Sequence, residues 1–158
     1  MFYALMVTII PEVIFLMGII FSIIAGIAMS LQGVFNTRVE SRIGTWETNA
    51  IVQGSAFVIT IILALTIGKG SFKNIKDVSK IYLLGGVLGV IIIFTVIEGI
   101  KNLGATYSIA TILIAQLTAA ALIDAFGLFE CKKISFGLNE ILGVMIMIAG
   151  IIIFKWKR

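Results

Sequence analysis

Five hydrophobic stretches, each long enough to cross a bilayer, fill nearly all of the 158-residue chain. They run roughly over residues 13–35, 50–67, 81–97, 105–126 and 138–154. A spanning helix needs about 17–25 mainly apolar residues. Charged residues fall almost entirely between the stretches. The runs are continuous, whereas barrel strands would alternate apolar and polar residues with a period of two. The expected class is therefore an all-α integral membrane protein with five transmembrane helices in one membrane domain, residues 1–158. Lipid is then the solvent, and polar residues inside the spans become the candidates for function.

Composition narrows the classes further. The chain is 60% hydrophobic and 13% charged, with a mean hydropathy of +1.17. No segment between spans is long enough for a soluble domain. The net charge of +4 reflects Lys and Arg flanking the spans, which is the usual topology signal, so nucleic acid is not an expected partner. One cysteine, Cys131, excludes an intramolecular disulfide. No histidine is present, so haem or zinc of the usual kind is not expected, and any proton coupling must use a carboxylate. There is no nucleophile–base–acid set, phosphate loop or metal cluster, so neither an enzyme nor a cofactor is expected.

Residues 1–10 are apolar but lack the basic start of a signal peptide. Pro11 suits the first turn of a helix beginning near Glu12. The preceding residues are then an interfacial extension, or Met6 or Met17 is the true start.

The basic residues fall evenly on the two sides. Lys69, Lys73, Lys76, Lys80, Lys132 and Lys133 are on one, and Arg38, Arg42, Lys101, Lys155, Lys157 and Arg158 are on the other. Orientation follows an excess of Lys and Arg on the cytoplasmic side, and six against six provides none. Insertion in both orientations follows, unless the four lysines of one loop outweigh the rest. Two opposed copies would form an antiparallel ten-helix dimer with the inverted-repeat geometry of many secondary transporters. In the four-lysine loop, Phe72, Ile75 and Val78 lie three apart, which suits a short interfacial helix.

Several polar residues stand inside the spans. Gln32 and Asn36 are four apart on one helix face, and both need partners in hydrocarbon, from a neighbouring helix or from a substrate. Asn49 and Gln53 repeat that spacing. Beside them Gly54 and Ser55 suggest close helix packing, as do Gly85 and Gly89, while Thr48 is positioned to cap the second span. Glu98 sits near the end of the third span with Lys101 three residues on, as an interfacial pair or as a cation or proton site. The fourth span carries Ser108, Thr111, Gln116 and Asp124. Gln116 lies near mid-helix, and Asp124 lies about 12 Å further along the axis. Asp124 is near a helix carboxyl end, where a carboxylate opposes the macrodipole, so the pair either binds something or locks the helix end. The fifth span carries Gly143 and Gly150 for packing or dimer contact.

Several segments together resemble one family. They are Gln32 to Asn36 followed by Arg42-Ile43-Gly44, the run Gly85-Gly86-Val87-Leu88-Gly89, the run Asn102-Leu103-Gly104, the block from Gln116 through Asp124 to Phe126-Gly127-Leu128, and the segment from Gly143 to Gly150. In this order they resemble the YdcZ-type proteins. These are five-helix, half-size members of the drug/metabolite transporter superfamily, related to the EamA-like transporters. The resemblance implies a bacterial inner-membrane transporter, an exporter of a small metabolite or drug-like molecule, built from two five-helix halves as a homodimer or as a heterodimer with a paralogue. Glu98 departs from the family pattern. The site expected for alternating access comprises Gln32, Asn36, Ser108, Thr111 and Gln116 for the substrate, with Asp124 and Glu98 for coupling or gating. A small dual-orientation ion channel and a non-transporting subunit of a heteromeric transporter are the alternatives.

Overall fold

A computed structural model describes residues 2–134 and 137–155, with side chains over 12–134 and 137–154. The expectations placed on Met1, Ser135, Lys157 and Arg158 lie outside the described residues. All regular structure in the described residues is helical. The helices are α1 (Phe2–Ile43), α2 (Thr45–Thr66), α3 (Gly85–Leu103), α4 (Ala105–Phe126) and α5 (Leu138–Lys155), with 3-10 turns at Phe72–Asp77, Lys80–Leu84 and Leu128–Glu130. Among the described residues, Glu12–Ile43, Thr45–Thr66, Lys80–Leu103 and Ala105–Phe126 are long and apolar enough to cross a membrane, and Leu138–Phe154 is a shorter apolar helix.

The first helix differs from its expected start. It runs through Pro11 from Phe2 rather than beginning near Glu12. Backbone groups in lipid must be satisfied within the segment, so the apolar residues ahead of Pro11 continue the helix. At 1.5 Å per residue its 42 residues span about 63 Å, roughly twice the hydrocarbon thickness.

Glycine makes the two sharpest connections. Gly44 alone separates α1 from α2, at φ 95° and ψ 161°. Gly104 alone separates α3 from α4, at φ 79° and ψ 158°. Backbone of this kind is essentially confined to glycine. Each glycine N–H closes the helix before it, on Glu40 O at 2.9 Å and Ile100 O at 2.8 Å, and each carbonyl opens the next, accepting from the N–H groups of Thr48 and Ser108 at 3.1 Å. Gly44 is therefore the residue that begins α2. Thr48 does not cap the helix as expected; its hydroxyl donates back to Gly44 O at 2.7 Å. Gly127 ends α4, its N–H directed at the Asp124 and Ile123 carbonyls. At the start of α5 the Gly137 N–H donates to Glu140 Oε2 at 2.8 Å, half of a capping box.

The chain divides into two compact units between Ile93 and Phe94, within α3. In the first unit α1 packs on α2, and in the second α4 packs on α5. The surface is apolar, and every described side chain from Glu12 to Met29 is exposed. Buried apolar side chains are few: Ile93 in the first unit, and Ile97, Ile100 and Ala121 in the second. An apolar exterior with a small apolar core is what lipid as solvent permits, because burying Leu or Ile away from lipid tails yields little.

Candidate functional site

Polar side chains in these helices divide into two chemical groups. Hydroxyls satisfy themselves on their own helix by donating to the carbonyl four residues back. Ser22 does so to Gly18 O, Ser30 to Gly26 O, Thr37 to Gly33 O and Thr118 to Ile114 O, all at 2.8–2.9 Å. Thr111 donates to Tyr107 O in the same way, at 2.8 Å. An amide has two donors and a carbonyl, and one turn of helix cannot satisfy all of them. Amides inside the spans are therefore the residues that need something beyond their own helix.

In the first unit that requirement concentrates at Asn49. It is 3% exposed, and neighbouring Thr48 is fully buried. Asn49 Nδ2 donates to Val90 O on α3 at 2.8 Å. That bond fixes the orientation of the amide, because a flip would set two carbonyl oxygens against each other. Asn49 Oδ1 is consequently directed away, and it is buried with no hydrogen-bond partner. Leaving such an acceptor unmade costs about 1–3 kcal/mol. One turn along α2, Gln53 is half-buried. Its amide occupies the space beside Gly89, where an added methyl would lie 2.7 Å from Gln53 Nε2. The Asn49–Gln53 face of α2 thus meets α3 at Gly89 and Val90. Close packing was expected at Gly54 and Ser55 and along Gly85 and Gly89. A methyl at Gly54 or Gly85 would meet nothing within 4 Å, and Ser55 is exposed with its hydroxyl on Val52 O at 3.0 Å. Of these positions Gly89 makes the close approach, because it faces a long amide side chain.

The pair on α1 has two different environments. Asn36 is 6% exposed, whereas Gln32 is exposed, although they share a helix face by spacing.

In the second unit, Ser108 is 2% exposed and packs on Gly99 of α3, where an added methyl would lie 2.6 Å from Ser108 Oγ. Thr111 and Gln116 are exposed, and Asp124 is half-buried. The end of α4 is locked by the Asp124 backbone carbonyl, which accepts from the N–H of Gly127 at 3.3 Å and of Ile134 at 2.9 Å. Glu98 pairs with Lys101 at 3.3 Å, both side chains being more than a third exposed. Its carbonyl accepts from Asn102 Nδ2 at 2.8 Å. An exposed pair of this kind contributes little to stability. A cavity of about 290 Å³ lies at the turn between α3 and α4, lined by Asn102, Thr106, Tyr107 and Phe154 among others. A second, apolar and about 270 Å³, lies between α4 and α5 at Thr118, Leu122, Phe126, Ile141 and Met145.

The packing expected of the Asn49–Gln53 face is present, as its contact with Gly89 and Val90 shows. The sequence does not show that the contact leaves the Asn49 carbonyl buried without a partner; the one available signal is chemical, since two amides one turn apart have more hydrogen-bonding groups than one helix contact satisfies.

Residues 17–153 match the model of the family described as "Putative inner membrane exporter, YdcZ". Neither a curated protein nor a solved structure matches the chain. With its long apolar helices, the chain belongs to this YdcZ family of exporters and is a multi-pass protein of the inner membrane.

Proposed function

We propose that the chain is a secondary transporter, not an enzyme, and exports a small metabolite or drug-like molecule by alternating access. It works as one membrane domain with α5 as its fifth span. Two copies, or one copy and a paralogue, pair in opposite orientations. The observation that carries the reading is the Asn49 carbonyl, held inside a membrane-spanning helix with its acceptor unused. A substrate N–H or O–H supplies the missing donor when the transporter opens. Asn36 and Gln32 also contact substrate in the first unit. In the second unit Ser108, Thr111 and Gln116 contact substrate, and Asp124 and Glu98 act in coupling or gating. Pairing is supported by the exposed apolar length of α1 from Glu12 to Met29. It is supported also by Gly143 and Gly150, seven apart on α5, where an added methyl would meet nothing within 4 Å among the described residues.

Transport is tested with inside-out vesicles exposed to a cytosolic small-molecule extract, their contents read by mass spectrometry. Vesicles containing the protein are expected to accumulate at least one compound that empty vesicles do not. Gln116→Leu is expected to insert and pair normally but to lose that accumulation. No accumulation by the wild type overturns the exporter reading, and normal accumulation by Gln116→Leu removes Gln116 from the site.

Orientation is tested at Cys131, an exposed thiol and the chain's only cysteine. A membrane-impermeant maleimide is expected to label about half of the chains in intact cells and the rest after permeabilisation, as even Lys and Arg placement predicts. All-or-none labelling overturns the antiparallel homodimer and leaves an oppositely oriented partner, or a parallel assembly in which the inverted-repeat site is wrong.

A further inference from the structure

We propose that the connection between α2 and α3 is a binding surface for anionic phospholipid, with an apolar edge that enters the bilayer and a lysine edge that holds the headgroup phosphates. The chain leaves the span Thr45–Thr66 and re-enters at Lys80–Leu103, so this connection lies at the membrane–water boundary. Its first half is the 3-10 turn Phe72–Asp77. The turn is held by its own bonds: Ser71 Oγ accepts from the Lys73 N–H at 3.3 Å, and Ser71 O accepts from the Asn74 N–H at 3.2 Å.

The type of turn matters because a 3-10 helix has three residues per turn, so residues three apart are eclipsed. Phe72 and Ile75 therefore form one edge, and Val78, exposed, follows directly after the turn. Lys73 and Lys76 form the second, and Asn74 and Asp77 the third. The apolar edge has no cover among the described residues, Phe72 being 67% exposed and Ile75 52%. Lys73 and Lys76 are exposed, as are the flanking Lys69 and Lys80. Tyr82 follows in the second 3-10 turn, half exposed, at the depth where aromatic side chains collect in membranes. An apolar edge alone would suit any lipid or a protein partner. Four lysines around it fit the negative headgroups of the adjacent leaflet, since Lys near an anionic surface favours binding.

The test uses the full chain with Ile75→Trp on a background of Trp46→Phe and Trp156→Phe, reconstituted in mixed phosphatidylcholine and phosphatidylglycerol vesicles. Either lipid carries brominated acyl chains, which quench a nearby indole. The expected result is blue-shifted emission, with stronger quenching by brominated phosphatidylglycerol than by brominated phosphatidylcholine at equal mole fraction. Lys73→Gln with Lys76→Gln is expected to reduce that preference by about fivefold for each lysine removed while the emission stays blue. Both lysines are exposed, so the variant retains its fold, checked by unchanged helicity. Equal quenching by the two lipids overturns the proposal. So does red, unquenched emission, which would assign the surface to a protein partner or to a second copy of the chain.

Discussion

Asn49→Leu is expected to reduce transport at least about tenfold, the scale of one buried hydrogen bond to substrate, while leaving stability unchanged or slightly raised. The two halves of that expectation come from the two ends of the amide. Nδ2 donates to Val90 O, but Val90 lies inside α3, and its carbonyl keeps a helical partner when the asparagine is removed. No orphan is created on that side, and about 1 kcal/mol is lost. On the other side, leucine removes the buried, unpartnered Oδ1 and with it a desolvation penalty of similar size or larger. The stability change therefore lies near zero, checked by thermal unfolding in detergent beside uptake by vesicles. Wild-type uptake with a lowered unfolding temperature would make Asn49 a packing residue and remove it from the site. Lost uptake at unchanged or raised stability would assign Asn49 to the site, and a rise would mark a residue kept at the expense of stability.

Gly99→Ala is expected to destabilise the second unit by about 1–3 kcal/mol, the usual range for overpacking a tight contact. The added methyl would lie 2.6 Å from Ser108 Oγ and 3.8 Å from Ser108 Cβ. The clash is therefore with the hydroxyl oxygen alone, and Ser108 is 2% exposed, with little room to turn it elsewhere. Ser108→Ala leaves only the ordinary contact at 3.8 Å. The double variant Gly99→Ala with Ser108→Ala should recover most of the loss, with a coupling of about 0.5–3 kcal/mol in a double-mutant cycle. Additive losses would show that the two helices do not meet through these residues.

The interhelical turns were partly legible. Gly44 and Gly104 were read from the chain only as parts of a resemblance, and the structure adds the reason each is glycine: a single residue reverses the chain at φ near +90°. Glu98 and Lys101 were legible as a local pair because three residues on a helix suffice to join them, and they do so at 3.3 Å. The start of α1 was not legible, since Pro11 suggests a beginning whereas lipid favours continuing the helix through it.

By itself the sequence determined the solvent. Long apolar runs with charges almost entirely between them leave one class of fold, because an unpaired backbone in hydrocarbon is too costly. It also determined which residues share a helix face, since 3.6 residues per turn places Asn49 with Gln53 and Gln32 with Asn36. Tertiary structure alone decided which faces are inward. In water a core-facing stripe announces itself by being apolar. In a bilayer both the lipid side and the protein side are apolar, so Asn36 is buried while Gln32 on the same face is exposed. For the same reason, only the meeting of α2 with Val90 turned Asn49 from one amide among several into one with a buried, unpartnered carbonyl.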